Sequence, residues 1–226
     1  MGKSVKIGAF VLCCLLLPII SNAQYKDFGI MGSFALTKEI DKKWGAKLEQ
    51  ELRSNYNSRL YDRSKTSLGV DYSIIEKVLK VGADYDFIHQ RQKEYFEFKN
   101  RASVSLTGSG TYNSFNFDLR TKIQSTWRNE NRGDYKYNPK VEWRNMLECS
   151  YSIFGSPVKP YISSEVFCPI NSAHGFYMNG LRATLGAKYR TSYRLTLDLY
   201  LRFNQDIQQE SPQSILFAGV GLRYRL

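Results

Sequence analysis

Basic side chains recur at every second position in several parts of the sequence, and this spacing is the feature that most clearly indicates a binding chemistry, the attraction of anions. Arg120 and Lys122 are separated by one residue, as are Lys188 and Arg190. Successive side chains of a β-strand point to opposite faces, so such residues would share one face of a strand. Basic residues on one face raise the local concentration of anions, and rings of them in a pore favour anion passage.

Catalytic residues are harder to find. Histidine, the usual general base near neutral pH, occurs only at His89 and His174. Asp84 and Asp86 precede His89, and Ser172 precedes His174, so a hydrolase with a site near an outer rim is one alternative. Neither G-x-S-x-G nor a metal-binding spacing such as C-x-x-C or H-E-x-x-H occurs. We therefore assign no catalytic residue, cofactor or metal site.

The elements that would position the charged residues are strands with one apolar face. Apolar and polar residues alternate through 115–128 and again through 194–204. A water-soluble sandwich or lipocalin-like barrel would bury the apolar face in a core. A membrane barrel would turn it towards lipid, because a charged residue on that face costs roughly 2–4 kcal/mol at mid-depth. The charged face would then line the lumen.

The N-terminus indicates export. Lys3 and Lys6 precede an apolar run from Ile7 to Ile20, and Ser21-Asn22-Ala23 forms a small-residue cleavage site. This pattern predicts a signal peptide over 1–23, followed by a barrel domain over 24–226. The mature chain has a formal charge of +9, from 30 basic residues (32 less Lys3 and Lys6) and 21 acidic ones. Export and the even spread of charges along the chain argue against nucleic-acid binding.

Eleven segments are predicted to be strands, and most are long enough to cross a membrane at a tilt, for which about 9 to 11 residues are needed. They are Tyr25–Thr37, Trp44–Asn55, Lys65–Ile75, Val78–Ile88, Glu94–Leu106, Tyr112–Arg128, Lys140–Ile153, Pro160–Cys168, Asn179–Thr191, Arg194–Asn204 and Ser214–Leu226.

The predicted connections alternate between short and long, as in outer-membrane barrels with short periplasmic turns and longer outer loops. Residues 75–77, 107–111, 154–159 and 191–193 are the short ones, and 56–64, 129–139, 169–178 and 205–213 are the longer ones. Bacterial barrels have an even strand number, so eleven segments leave one over. Tyr25–Thr37 would then be an inward plug or half of an undivided pair. We expect an all-β, antiparallel transmembrane barrel of 10–12 strands.

Two resemblances support this fold. The final residues, Gly221 to Leu226, resemble the signal that the barrel-insertion machinery reads, although Leu226 replaces the usual terminal aromatic residue. Residues 143–148, 159–167, 180–182 and 195–200 resemble a family of small outer-membrane barrels known as domain of unknown function 2490. The resemblance implies a barrel fold and a place in the bacterial outer membrane, in contact with its lipid. It implies no established activity.

Two functions remain open for the charged face. Opposite charges could fill a closed, structural barrel with paired side chains, or surplus arginines could line a narrow pore for small anionic solutes such as acidic sugars. The candidates for lining the lumen are Arg120, Lys122, Arg144, Glu148, Glu165, Arg182, Arg190, Arg194, Asp198 and Arg202.

The two mature cysteines lie on consecutive predicted strands. Cys149 and Cys168 share the outward parity, and a hairpin centred between Val158 and Lys159 would place them directly opposite each other. An oxidising compartment permits a disulfide. Two free, lipid-facing thiols are the alternative.

Overall fold

The computed structural model describes residues 25–55, 57–92, 95–128, 138–172, 175–207 and 213–226. These contain eleven strands of 11 to 17 residues, and none of them is helical. No helix that is long and apolar enough to cross a membrane occurs in this part of the chain. The predicted signal peptide, 1–23, lies outside the described residues. The strands are β1 (Tyr25–Glu39), β2 (Trp44–Asn55), β3 (Leu60–Ile75), β4 (Leu79–Arg91), β5 (Phe96–Tyr112), β6 (Phe115–Arg128), β7 (Lys140–Tyr151), β8 (Val158–Pro169), β9 (Gly180–Arg190), β10 (Leu195–Asp206) and β11 (Gln213–Arg225).

The strands form one closed barrel in which each pairs with its sequence neighbours. All neighbouring pairs are antiparallel except the pair that closes the barrel, β1 and β11, which runs parallel from Tyr25↔Gln213 to Thr37↔Arg225. The predicted all-β barrel of 10–12 strands is confirmed, with eleven strands. A sandwich of two sheets is ruled out by the closure.

The expectation that Tyr25–Thr37 is surplus is wrong. β1 hydrogen-bonds to β2 on one side and to β11 on the other, so it is a full member of the wall. An odd number of strands closes without an unpaired edge when the first and last strands run in the same direction. The even-number rule therefore does not apply to this chain.

The connections define two ends of the barrel. The short-turn end carries 40–43, 76–78, 113–114, 152–157 and 191–194, and the long-loop end carries 56–59, 92–95, 129–139, 170–179 and 207–212. The expected turn at 107–111 is wrong, because these residues belong to β5 and the turn follows at 113–114. The expected loop 56–64 is too long, because β3 begins at Leu60.

The two faces of the wall differ sharply in exposure. Leu119 and Ile123 are 60% and 55% exposed on the outside, whereas Gln124, the next residue along the strand, is 2% exposed and faces inward. A soluble barrel has the opposite arrangement, with an apolar interior. The alternation in the sequence therefore places a polar, charged lumen inside an apolar wall, as a barrel in lipid requires.

Candidate functional site

Between the residues that the structure describes, four cavities lie in series along the lumen, with volumes of about 890, 310, 270 and 210 Å³ from the short-turn end to the long-loop end. Each shares lining side chains with the next, so consecutive cavities are separated by side chains and not by backbone. The shared residues are Lys47, Lys188, Thr196 and Arg223 for the first two, Glu51, Arg182 and Arg202 for the second and third, and Glu142, Phe167, Arg182 and Asn204 for the last two.

The largest cavity, which we call the vestibule, is strongly basic. Glu39 and Asp71 are its acidic lining residues in the described part of the chain. Nine basic residues line it: Lys38, Lys47, Lys80, Lys159, Lys188, Arg190, Arg194, Arg223 and Arg225. A concave surface with one predominant sign of charge focuses the electrostatic potential and concentrates counter-ions. The vestibule would therefore attract anions to the short-turn end of the barrel.

Ion pairs link side chains of neighbouring strands at the second cavity. Glu165, whose side chain is only 4% exposed, accepts hydrogen bonds from Arg144 at 2.8 Å, Arg182 at 3.0 Å and Arg120 at 3.2 Å. These four side chains come from β6, β7, β8 and β9, so alternation on four neighbouring strands brings them together. Three cations on one carboxylate leave this layer with a positive excess.

Further pairs surround this layer. Lys122 lies 2.7 Å from Asp84, and Lys188 lies 2.6 Å from Glu148. The Tyr161 hydroxyl donates to both carboxylate oxygens of Asp198, at 3.1 and 3.2 Å. Such charge-assisted contacts fix the side chains that narrow the lumen.

An aromatic cluster narrows the same region from one side. Met31, Tyr161, Tyr200 and Phe217 pack together inside the barrel, and Phe217 is fully buried. The Tyr200 ring lies over Gly219 on the neighbouring strand, too close for a Cβ atom at that position. Glycine is thus required where an inward ring lies flat against the wall.

The third cavity, which we call the arginine cavity, is again basic. Its carboxylates are Glu51 and Glu142. Its basic residues are Arg53, Arg63, Lys65, Arg101, Arg144, Arg182 and Arg202. Because these cations come from six strands, only the closed barrel brings them together.

The predicted lumen-lining residues lie at different depths. Arg120, Glu148, Glu165, Arg182, Asp198 and Arg202 line the second cavity, and Arg144 lines the arginine cavity. Lys122 is held in the lumen by Asp84. Arg190 and Arg194 line the vestibule, at the mouth. Arg194 belongs to the turn before β10, where hydrogen bonds with the hydroxyls of Tyr224 and Tyr193 raise its pKa.

Alternation predicts that Arg53 and Arg101 face inward, but the set of lining candidates begins at Arg120. Four early residues, Arg53, Arg63, Lys65 and Arg101, line the arginine cavity. The alternation of Arg63 with Lys65 is the signal that could have identified two of them. The predicted strand begins at Lys65, so Arg63 fell in the expected loop. The observed β3 begins at Leu60 and includes both.

The residues considered for catalysis do not form a site in the described part of the barrel. His89 faces outward, stacked on Phe96 at 4.9 Å, with the Tyr61 hydroxyl 3.0 Å from its Nδ1. Asp84 and Asp86 face the lumen, where Lys122 and Arg101 bind them. His174 lies outside the described residues. No group of three potential metal ligands occurs among the residues that the structure describes.

Of the two alternatives for Cys149 and Cys168, the register of β7 and β8 excludes the disulfide. Both cysteines are free, since Cys149 lies opposite Ile162 and Cys168 lies opposite Trp143. The hairpin is centred in 152–157, nearer the N-terminus than expected. Six residues of strand, from Trp143 to Cys149, therefore separate the two thiols, about 20 Å at roughly 3.3 Å per residue. A disulfide needs Cα atoms within about 7 Å.

Comparison with known proteins places the chain in a family. No match was found among curated proteins. One family model, described as "Protein of unknown function (DUF2490)", matches residues 28–214, from the first residues of β1 to the start of β11. The match covers far more than half of the chain and confirms the resemblance seen in the sequence. The chain belongs to this family of proteins of unknown function, DUF2490.

Proposed function

We propose that this protein spans the bacterial outer membrane and forms a narrow pore that prefers small anionic solutes. The observation that carries the proposal is the series of four cavities along the lumen, which starts at the basic vestibule. Basic residues exceed acidic ones nine to two in the vestibule and seven to two in the arginine cavity.

The outer surface supports the membrane location. Exposed aliphatic side chains cover the middle of the wall, and exposed aromatic residues lie near both rims, as in aromatic girdles. Phe96, Trp127 and Phe176 lie towards the long-loop end, and Trp44, Tyr112, Tyr151 and Tyr193 lie towards the short-turn end. With its short turns in the periplasm, the barrel would contact outer-membrane lipid and be inserted by the barrel-insertion machinery through its C-terminal strand.

The lumen supports selectivity for small solutes. The vestibule would concentrate anions, and the Glu165 layer would limit the size of what passes, because its side chains are held by ion pairs. Ten to twelve strands lie between the eight that side chains just fill and the sixteen that leave an open channel. A closed structural barrel is the competing function.

The test is single-channel conductance of refolded 24–226 in a planar bilayer under a salt gradient. We expect small steps with an anion-selective reversal potential. Replacing Arg190→Gln and Arg223→Gln in the vestibule should lower the anion-to-cation permeability ratio by roughly two- to tenfold. The matched control is Lys42→Gln with Lys77→Gln, which removes two charges from exposed turns at the same end that line none of the four cavities. Inserted protein without conductance would contradict the proposal and indicate a closed barrel.

A further inference from the structure

The arginine cavity holds more positive charge than its own carboxylates neutralise. Glu51 and Glu142 line it. Three carboxylates that do not line it form ion pairs with its cations: Asp62 with Arg53, Asp86 with Arg101 at 3.8 Å, and Glu165 with Arg144 and Arg182. The seven cations outnumber these five carboxylates, and two of the carboxylates are shared with further cations, Glu165 with Arg120 and Glu142 with Lys140. Confining uncompensated positive charges in a narrow space is unfavourable unless an anion joins them.

Arg202 is the cation with the fewest partners. No carboxylate among the described residues lies within ion-pairing distance of it. Its guanidinium lies over the Tyr200 ring at 4.7 Å and 3.9 Å from the Met31 sulfur. The Nε atoms of Arg202 and Arg63 are buried and have no acceptor in the described part of the chain. A buried donor without an acceptor costs about 1–3 kcal/mol, so the protein alone satisfies the guanidinium groups of Arg63 and Arg202 incompletely.

Aromatic rings hold several of these guanidinium groups in place. Arg144 and Arg182 lie over the Phe167 ring, at 4.6 and 4.9 Å, and Arg53 lies over Phe217 at 5.0 Å. A stacked guanidinium keeps its planar set of N–H donors in a fixed direction, which suits the paired oxygens of an oxyanion. A site whose donors are already oriented loses little entropy on binding.

We infer that the arginine cavity is a binding site for a small dianionic oxyanion of the phosphate or sulfate class. Two negative charges would offset part of the positive excess, and the oxygen atoms would accept hydrogen bonds from the guanidinium groups that line the cavity. The cavity has a volume of about 270 Å³. One water molecule occupies roughly 30 Å³ in the liquid, so the cavity has room for a small ion. The flanking side chains of Glu51, Arg182 and Arg202 restrict the site to small ions. The inference goes beyond the proposed pore, because a barrel that does not conduct could still bind the ion.

Binding is measured on the folded barrel in detergent, by calorimetric titration with sodium sulfate and sodium phosphate, with sodium chloride of equal ionic strength as the reference. We expect saturable binding of sulfate and phosphate and none of chloride. Arg202→Met, which keeps much of the side-chain volume, should weaken binding about tenfold or more, the size expected for a charge-assisted hydrogen bond. The matched control Arg59→Met removes the same group from an exposed turn that lines none of the four cavities, and it should change the affinity by less than about twofold.

Arg202→Lys provides a second variant if Arg202→Met does not fold, because it keeps the charge and loses the planar set of donors. We expect it to bind sulfate measurably more weakly than the native protein. Equal heats for sulfate and chloride would overturn the inference, as would equal losses of affinity in Arg202→Met and Arg59→Met. Neither result depends on conductance, so failure of the oxyanion site and failure of the pore are separate outcomes.

Discussion

Glu165 joins three arginines from three nearby strands on the lumen side of the wall. Its contacts with Arg120, Arg144 and Arg182 are all within 3.2 Å, and its side chain is 4% exposed. Removing one partner from a buried ion-pair network is costly, because it leaves the remaining charges without compensation. The balance of charge in the middle of the barrel therefore depends on one residue.

We predict that Glu165→Gln lowers the free energy of unfolding of the barrel by about 3 kcal/mol, since glutamine keeps the shape and loses the charge. Urea unfolding of the refolded protein in lipid vesicles measures the change. The matched control is Glu39→Gln, whose ion pair with Arg225 at 3.6 Å is largely exposed. An exposed pair contributes about 0–1 kcal/mol, so the control should remain close to the native protein. Equal effects of the two substitutions would contradict the role of Glu165.

At the scale of the strands, the alternation of apolar and polar residues predicts which face of the wall a residue lies on. It is a poorer guide to the residue at which a strand begins. The predicted β3 starts five residues late, at Lys65, because the register with β2 shifts between Arg53 and Ser54. Such a bulge interrupts the period of two, so Leu60 to Ser64 does not read as strand. The run Thr107–Thr111 resembles a turn because it consists of glycine, serine and threonine. It is nevertheless strand: β6 pairs with all of it, and β4 pairs with Thr107 and Gly108.

The register between two neighbouring strands could not be predicted from the sequence where the turn that connects them has no strong sequence signal. Parity correctly places Cys149 and Cys168 on the same face, but the centre of the hairpin is displaced, which moves one thiol about 20 Å from the other. The arginine cavity shows the same limit. Each of its basic residues can be assigned to the inward face from alternation, yet their convergence depends on register and on closure of the barrel.

The contact of β10 with β11 yields a prediction at this scale. Gly219→Ala should lower the free energy of unfolding by about 1–3 kcal/mol, because the new methyl group would overlap the Tyr200 ring. Gly32→Ala on β1 is the control, since a Cβ at that position has no atom within 4 Å. Urea unfolding compares the two variants. Adding Tyr200→Leu to Gly219→Ala should recover part of the loss, and failure to do so would exclude the ring as the cause.

For the whole molecule, the odd strand number fixes the relation between the chain ends. β1 begins at the long-loop end, where Ser58 N donates to Phe28 O at 3.1 Å, and Leu226 lies at the short-turn end, where its N donates to Thr37 O at 2.9 Å. In an even-stranded barrel both ends would lie on one side. Nothing local in the sequence marks the parallel pair of β1 and β11, because it forms only when the last strand meets the first.

This closure predicts that the two ends of the barrel chain face opposite sides of the membrane. An epitope placed between Gln24 and Tyr25 should be accessible to antibody on intact cells, because β1 begins at the long-loop end. An epitope placed between Gly155 and Ser156, in a turn at the short-turn end, should become accessible only after the outer membrane is permeabilised. An epitope inserted in 208–212 serves as the control for the outer side. If the epitope before Tyr25 required permeabilisation while that control did not, β1 would not close the barrel in parallel with β11, and an even-stranded wall would replace it.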